Sequence, residues 1–170
     1  MKFNKVKLLV VTALFTALCV VCTMFVSVPM PGTGGYIHFG DAIIMLAATL
    51  LPWPFSIFVG AVGGALADIF VAPVWAPYTL VIKALVALCI SNKKQKMLNV
   101  RNIIGVIVSF AITIGGYYLA ESLIYGNWIA PVASMIGNLI QCVGSAIIFV
   151  LLSLTLDKMN FKTKIYSLIK

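Results

Sequence analysis

The chain has 170 residues, 62% of them hydrophobic and only 9% charged, with a formal net charge of +8 and a mean hydropathy of +1.12. Soluble domains carry about 45–50% apolar and about 25% charged residues, so this balance excludes a soluble globular domain and specifies an integral membrane protein. The basic excess does not indicate nucleic acid, because it falls in three short clusters that flank apolar runs, the pattern that sets topology in a bilayer.

Lys2, Lys5 and Lys7 precede the first apolar run, Leu8 to Val28. Further membrane segments follow it, so an uncleaved first span is expected rather than a signal peptide. Cys19 and Cys22 form a C-x-x-C inside this run, but no second pair or nearby histidine completes a metal or redox site. They read as small buried hydrophobes. The stretch "PGTGGYIHFGD" then brings the only histidine, His38, and one of four acidic residues, Asp41, to the lip of the second run. Its glycines supply the backbone freedom of a lid from Gly32 to His38 over a cavity mouth.

The second span, Phe39 to Leu51, is short and ends at Pro52-Trp53-Pro54; the third runs from Phe55 to Val71. The two alternatively form one hairpin that does not fully cross. Ser56, Gly60, Gly64 and Asp68 recur at every fourth position of the third span. Small residues at that spacing let helices approach closely, and Asp68 ends the row. The fourth span, Ala76 to Ser91, holds Lys83, the one lysine inside an apolar segment. Lys93, Lys94, Lys96 and Arg101 form the second basic cluster. The fifth span, Asn102 to Ile124, carries Glu121 near its end. The sixth, Pro131 to Leu156, has a polar stripe of Ser134, Asn138, Gln141 and Ser145 at helical spacing. Lys158, Lys162, Lys164 and Lys170 close the chain.

Six crossings put all three basic clusters on one side. The expected fold is therefore an all-α membrane protein with six transmembrane helices, both termini cytoplasmic, forming a single integral membrane domain over residues 1–170. The opposite loops carry no Lys or Arg and are rich in Gly, Pro, Trp and Tyr. Embedded polar residues then fall in the outer half or near the midplane, and ionisable groups at such depth face a bundle interior, where they pair or serve a function. An outward cavity is expected, lined by Tyr36, His38, Asp41, Asp68, Trp75, Tyr78, Lys83, Glu121, Asn138 and Gln141. Tyr117, Tyr118 and Trp128 lie at the same level, where interfacial anchoring is the default role. Asp68 and Lys83, with Asn138 and Gln141, are expected to hydrogen-bond one small heterocycle; the alternative is that Asp68 and Lys83 form a structural pair.

Other function classes fit less well. A channel needs a polar path through the bilayer, and the inner halves are apolar. An intramembrane serine protease needs a serine facing a histidine, and Ser145 has no such partner in the sequence. A stand-alone proton-coupled carrier remains an alternative, with Asp41, Asp68 and Glu121 carrying protons.

Six short spans, a basic N-terminus and a glycine-rich outer loop leading into "YIHFGD" resemble the substrate-binding S components of energy-coupling factor (ECF) vitamin transporters. "GGALADIF" and "WAPYTLVIKALVAL" are similar to the third and fourth helices of the hydroxymethylpyrimidine and pyridoxine branch. Ala13-Leu-Phe-Thr-Ala17 matches the family's A-x-x-x-A motif. The resemblance implies a multi-pass protein of the bacterial plasma membrane that binds a small vitamin from outside. It implies a transmembrane coupling subunit, docked at Ala13 and Ala17, and two cytoplasmic ATPase subunits. No P-loop is present in the sequence, so ATP hydrolysis would come from those partners; the chain itself is expected to be no enzyme and to use no cofactor or metal. Three embedded acids against Lys83 sum to −2 if all are ionised. That balance favours a neutral or weakly basic ring, hydroxymethylpyrimidine or pyridoxine, with pantothenate, riboflavin and thiamine as alternatives.

Overall fold

The structure, a computed structural model, describes residues 3–29 and 36–170. Residues 32–35 of the expected lid, Gly32 to His38, lie outside the described residues. Helix α1 spans Lys5–Phe25. It starts at Asn4, whose Oδ1 accepts from the backbone N–H groups of Val6 (3.0 Å) and Lys7 (3.3 Å), satisfying two of the donors that a helix start leaves free. Two short strands follow, β1 (Ser27–Pro29) and β2 (Tyr36–His38), antiparallel with Ser27 opposite His38. Then come α2 (Gly40–Leu50), α3 (Phe55–Val71), a 3-10 turn (Pro73–Trp75), α4 (Ala76–Cys89), α5 (Val100–Tyr125), α6 (Pro131–Lys158) and α7 (Phe161–Ile169).

Helices occupy all six expected positions, but they are not equal. α1, α5 and α6, of 21, 26 and 28 residues, are long and apolar enough to cross a membrane. α2, α3 and α4 have only 11, 17 and 14 residues. At about 1.5 Å per residue, α2 is about 16 Å long, roughly half of a bilayer's hydrocarbon core. All 11 of its residues are buried, against α1, α3, α4 and α6. It is a core helix enclosed by protein. It stops where it does because Pro52 and Pro54 follow at once, and proline removes a donor and clashes with the preceding turn.

Glycines on two faces of α3 set the central packing. A methyl group on Gly60 would lie 2.5 Å from the Lys83 carbonyl oxygen, and one on Gly64 would lie 2.9 Å from Lys83 Cγ. On the other side, a methyl on Gly63 would lie 3.0 Å from Cys19 Sγ. α3 is thus a thin wedge between α4 and α1, and its row of small residues places Lys83. Gly60→Ala should destabilise the protein by about 1–3 kcal/mol, the usual penalty of overpacking, because a helix carbonyl cannot swing aside as a side chain can. Unfolding of the purified protein in detergent measures this. An unchanged midpoint would mean that α3 and α4 are not held at this distance.

The ends of α1, α5, α6 and α7 meet in a hydrogen-bonded platform. Asn102, fully buried, accepts from the Ser91 N–H and donates to the carbonyls of Ser91 and Met97. The Asp157 carboxylate accepts from the N–H groups of Met97 (2.9 Å) and Leu98 (3.1 Å). Lys162 donates to the carbonyls of Asn92 (2.6 Å) and Lys94 (2.7 Å), and the Asn4 N–H donates to the Ile169 carbonyl (2.8 Å). Burial lowers the Lys162 ammonium to a pKa of about 8. These bonds gather the three basic clusters at one end, with Lys5, Lys7, Lys93, Lys94, Lys96, Arg101, Lys158, Lys164 and Lys170 exposed there. α7 and the platform were not foreseen from the sequence.

Candidate functional site: a polar cluster at the end opposite the basic platform

α1 runs from the basic platform to the β1–β2 hairpin, and α2 starts beside that hairpin. Asp41 stands in the first turn of α2, where the helix dipole favours a carboxylate. Lys83 reaches it from α4: Nζ lies 2.7 Å from Oδ1 and donates to Oδ2 at 2.9 Å. Lys83 is 0% and Asp41 1% exposed. Gln141 on α6 donates from Nε2 to Asp41 Oδ2 (3.0 Å), and its Oε1 accepts the backbone N–H of His38 (3.2 Å). One chain of polar contacts therefore links α4, α2, α6 and β2. A buried ion pair holds only with such added hydrogen bonds, because desolvation opposes it.

Aromatic side chains lie against this cluster. Lys83 Nζ sits 5.1 Å from the centroid of the Tyr117 ring, within the range of a cation–π contact. The Tyr117 hydroxyl and Thr79 Oγ1 are 2.9 Å apart, and Trp75 meets the Tyr117 ring edge-on at 5.9 Å. The Tyr36 hydroxyl donates to Asp68 Oδ1, while Asp68 Oδ2 is buried with no hydrogen-bond partner among the described residues. Between α5 and α6, Ser134 donates to Glu121 (2.8 Å). Ser134, Asn138, Gln141 and Ser145 are all buried, so the stripe faces inward. Asn138, one turn before Gln141, makes no side-chain hydrogen bond among the described residues. Tyr78 is half-buried and joins none of these contacts.

The structure thus pairs Lys83 with Asp41, not with Asp68. Gly64 lets the Lys83 side chain pass close to α3 and on to the start of α2, while Asp68 takes the Tyr36 hydroxyl instead. Asp41 and Lys83 neutralise each other, so the balance of −2 obtained by counting charges rests on Asp68 and Glu121 alone. Lys83 and Gln141 are already engaged with Asp41. Sequence reasoning missed Thr79 and gave Tyr117 too little weight. Thr79 stands one turn before Lys83 on the same face of α4, a signal that was available. No three His, Cys, Asp or Glu side chains converge as a metal site among the described residues.

Ala13 and Ala17 are exposed on α1 beside exposed Val10, Leu14 and Val21, while Thr12, Thr16, Cys19 and Thr23 make the buried face. The A-x-x-x-A pair therefore plays no part in the internal packing.

Three likenesses to known proteins bear on this arrangement. A solved S component of a bacterial ECF transporter superimposes with a TM-score of 0.71, covering 91% of this chain and 98% of that chain at 22% identity. That match shows a shared fold. A Pyrococcus woesei protein, described as an uncharacterized protein in the gap 3′ region, is 36% identical over 129 residues, 75% of this chain and 86% of its own length. The profile of the family described as "ECF-type riboflavin transporter, S component" matches residues 3–158, nearly the whole chain. With the platform at one end and the polar cluster at the other, these matches mean that the chain belongs to the ECF-type riboflavin transporter S component family.

Proposed function

We propose that the protein binds a flat, uncharged nitrogen-heterocyclic vitamin at the polar cluster. The vitamin enters from outside the cell, and uptake proceeds with an ECF coupling subunit and two cytoplasmic ATPases. The observation that carries this reading is the self-neutralised Asp41–Lys83–Gln141 cluster flanked by Tyr36, Trp75 and Tyr117. Its fixed charges are already paired, so an anion such as pantothenate finds no free cation. The aromatic rings instead suit a planar ligand. Hydroxymethylpyrimidine, pyridoxine and riboflavin, the vitamin in the family's name, all belong to this class. Tyr36, His38, Asp41, Asp68, Trp75, Tyr78, Lys83, Glu121, Asn138 and Gln141 are the proposed lining. In this reading Asn138 is a direct contact, and Asp41, Lys83 and Gln141 hold the frame.

A thermal-shift panel on purified protein tests it, with pantothenate as the anionic control. One of the three heterocycles at about 100 times its Kd should stabilise the protein by roughly 2.7 kcal/mol. Asn138→Ala should weaken that ligand roughly 2- to 13-fold, the range for one neutral hydrogen bond. Stabilisation by pantothenate alone, or by none of the four, rejects the reading. Binding without any ion gradient separates it from a proton-coupled carrier.

The same proposal places the basic platform in the cytoplasm of a bacterial plasma membrane, by the positive-inside rule. Lys94→Cys and Asn127→Cys, each in a cysteine-free background, should react with an impermeant thiol reagent from opposite sides. Reaction of both from one side would refute the orientation.

A further inference from the structure

We infer that His38 is the specificity-determining donor of this site: Gly40 holds its ring as the Nε2–H tautomer, and that proton is offered to an acceptor on the edge of the vitamin. The inference rests on the vitamin-binding reading and deepens it.

The Gly40 backbone N–H donates to His38 Nδ1 at 3.2 Å. A ring nitrogen that accepts a hydrogen bond carries no proton, so the neutral imidazole carries its proton on Nε2. The backbone of His38 is fixed twice, by Gln141 and by pairing with Ser27. Its ring is tilted against the Tyr36 ring at 5.4 Å. The residue is only 6% exposed, and Nε2 has no hydrogen-bond partner among the described residues. An N–H held in place by its backbone and without a protein partner is available to a ligand acceptor.

Gly40 acts as a positioning residue. A methyl group there would lie 2.0 Å from Thr23 Oγ1 and 3.2 Å from His38 Nδ1, so only glycine seats the amide against the ring. Because Lys83, Asp41 and Gln141 already satisfy one another, the unengaged groups of the cluster include His38 Nε2–H, the Asn138 amide and Asp68 Oδ2. The ligand class is narrowed accordingly. The ligand atom that meets His38 is a carbonyl oxygen or an unprotonated ring nitrogen, and a donor at that position is rejected.

His38 is the only histidine in the chain, so protein labelled with ¹⁵N-histidine and purified on a histidine-free tag gives one imidazole in a long-range ¹H–¹⁵N spectrum. The free protein should show the neutral Nε2–H tautomer. Riboflavin, hydroxymethylpyrimidine and pyridoxine are then titrated in turn, and the one that binds should move Nε2 more than Nδ1. His38→Phe should weaken that ligand roughly 2- to 13-fold. His38→Gln, which keeps an N–H near the Nε2 position, should bind closer to native. An Nδ1–H tautomer, an imidazolium at neutral pH, or native affinity in His38→Phe overturns the inference. Failure of the vitamin reading looks different: no titrant binds while the free ring still shows Nε2–H, which removes the ligand half of the inference with it.

Discussion

Lys83→Met should destabilise the protein by about 3–5 kcal/mol, the loss expected when one partner of a buried ion pair is removed and the other charge is left without compensation. Both residues are almost wholly buried, and Asp41 would retain only Gln141 as a side-chain partner. The double variant Asp41→Asn with Lys83→Met should recover most of the loss, because no unpaired charge remains. Unfolding of the native protein, both single variants and the double variant in one detergent gives the coupling energy. A loss under about 1 kcal/mol, the scale of solvent-exposed pairs, would show that water reaches the pair and that the cluster is not the dry frame described. The cycle also separates framing from contact. If Lys83 touched the vitamin itself, the double variant would fold but lose binding.

Ala13→Leu combined with Ala17→Leu should bring uptake in cells down to background while leaving vitamin binding by the purified protein unchanged. Both alanines are exposed, so the substitutions should alter folding by no more than about 0.5 kcal/mol, as elsewhere on a surface. Two added isobutyl groups would stop a partner helix from approaching at the small-residue face. Uptake assays in cells that express the ECF module, run beside calorimetry on the pure protein, give the two readouts. Unimpaired uptake would mean that the coupling subunit docks elsewhere; lost binding would mean that the alanines support the site from within.

The positions of six apolar segments were legible because apolar runs and their basic flanks are written in composition. Their lengths were less so. Nothing in "GDAIIMLAATL" distinguishes a helix facing lipid from one enclosed by protein, since both are apolar on every side; the shortness of the run was the available hint. The polar stripe of α6 was readable from its spacing, and the inward face is the one the structure shows. The partner of Lys83 was not readable. Asp41 and Asp68 are both single acids near the same end, and the choice between them depends on how closely α4 rides on α3, which Gly60 and Gly64 decide in three dimensions. The small β hairpin escaped because its strands have three residues each, too few for an alternation to register. α7 escaped because its lysines read as a charged tail, while Lys162 turns inward to bind two carbonyls.

The enclosure of α2 bears on how the chain enters the membrane during synthesis. A segment of 11 residues falls well short of the roughly 20 that partition into lipid as an independent span. In the finished protein it has no lipid-facing surface at all. When it leaves the ribosome, most of the helices that later surround it do not yet exist. α2 must therefore enter together with α3, as a hairpin about the Pro52–Pro54 turn, and settle against α1 before α4 and α6 close around it. Nascent chains truncated at Leu51 should leave α2 extractable at alkaline pH or open to protease, and chains extended through Val71 should protect it.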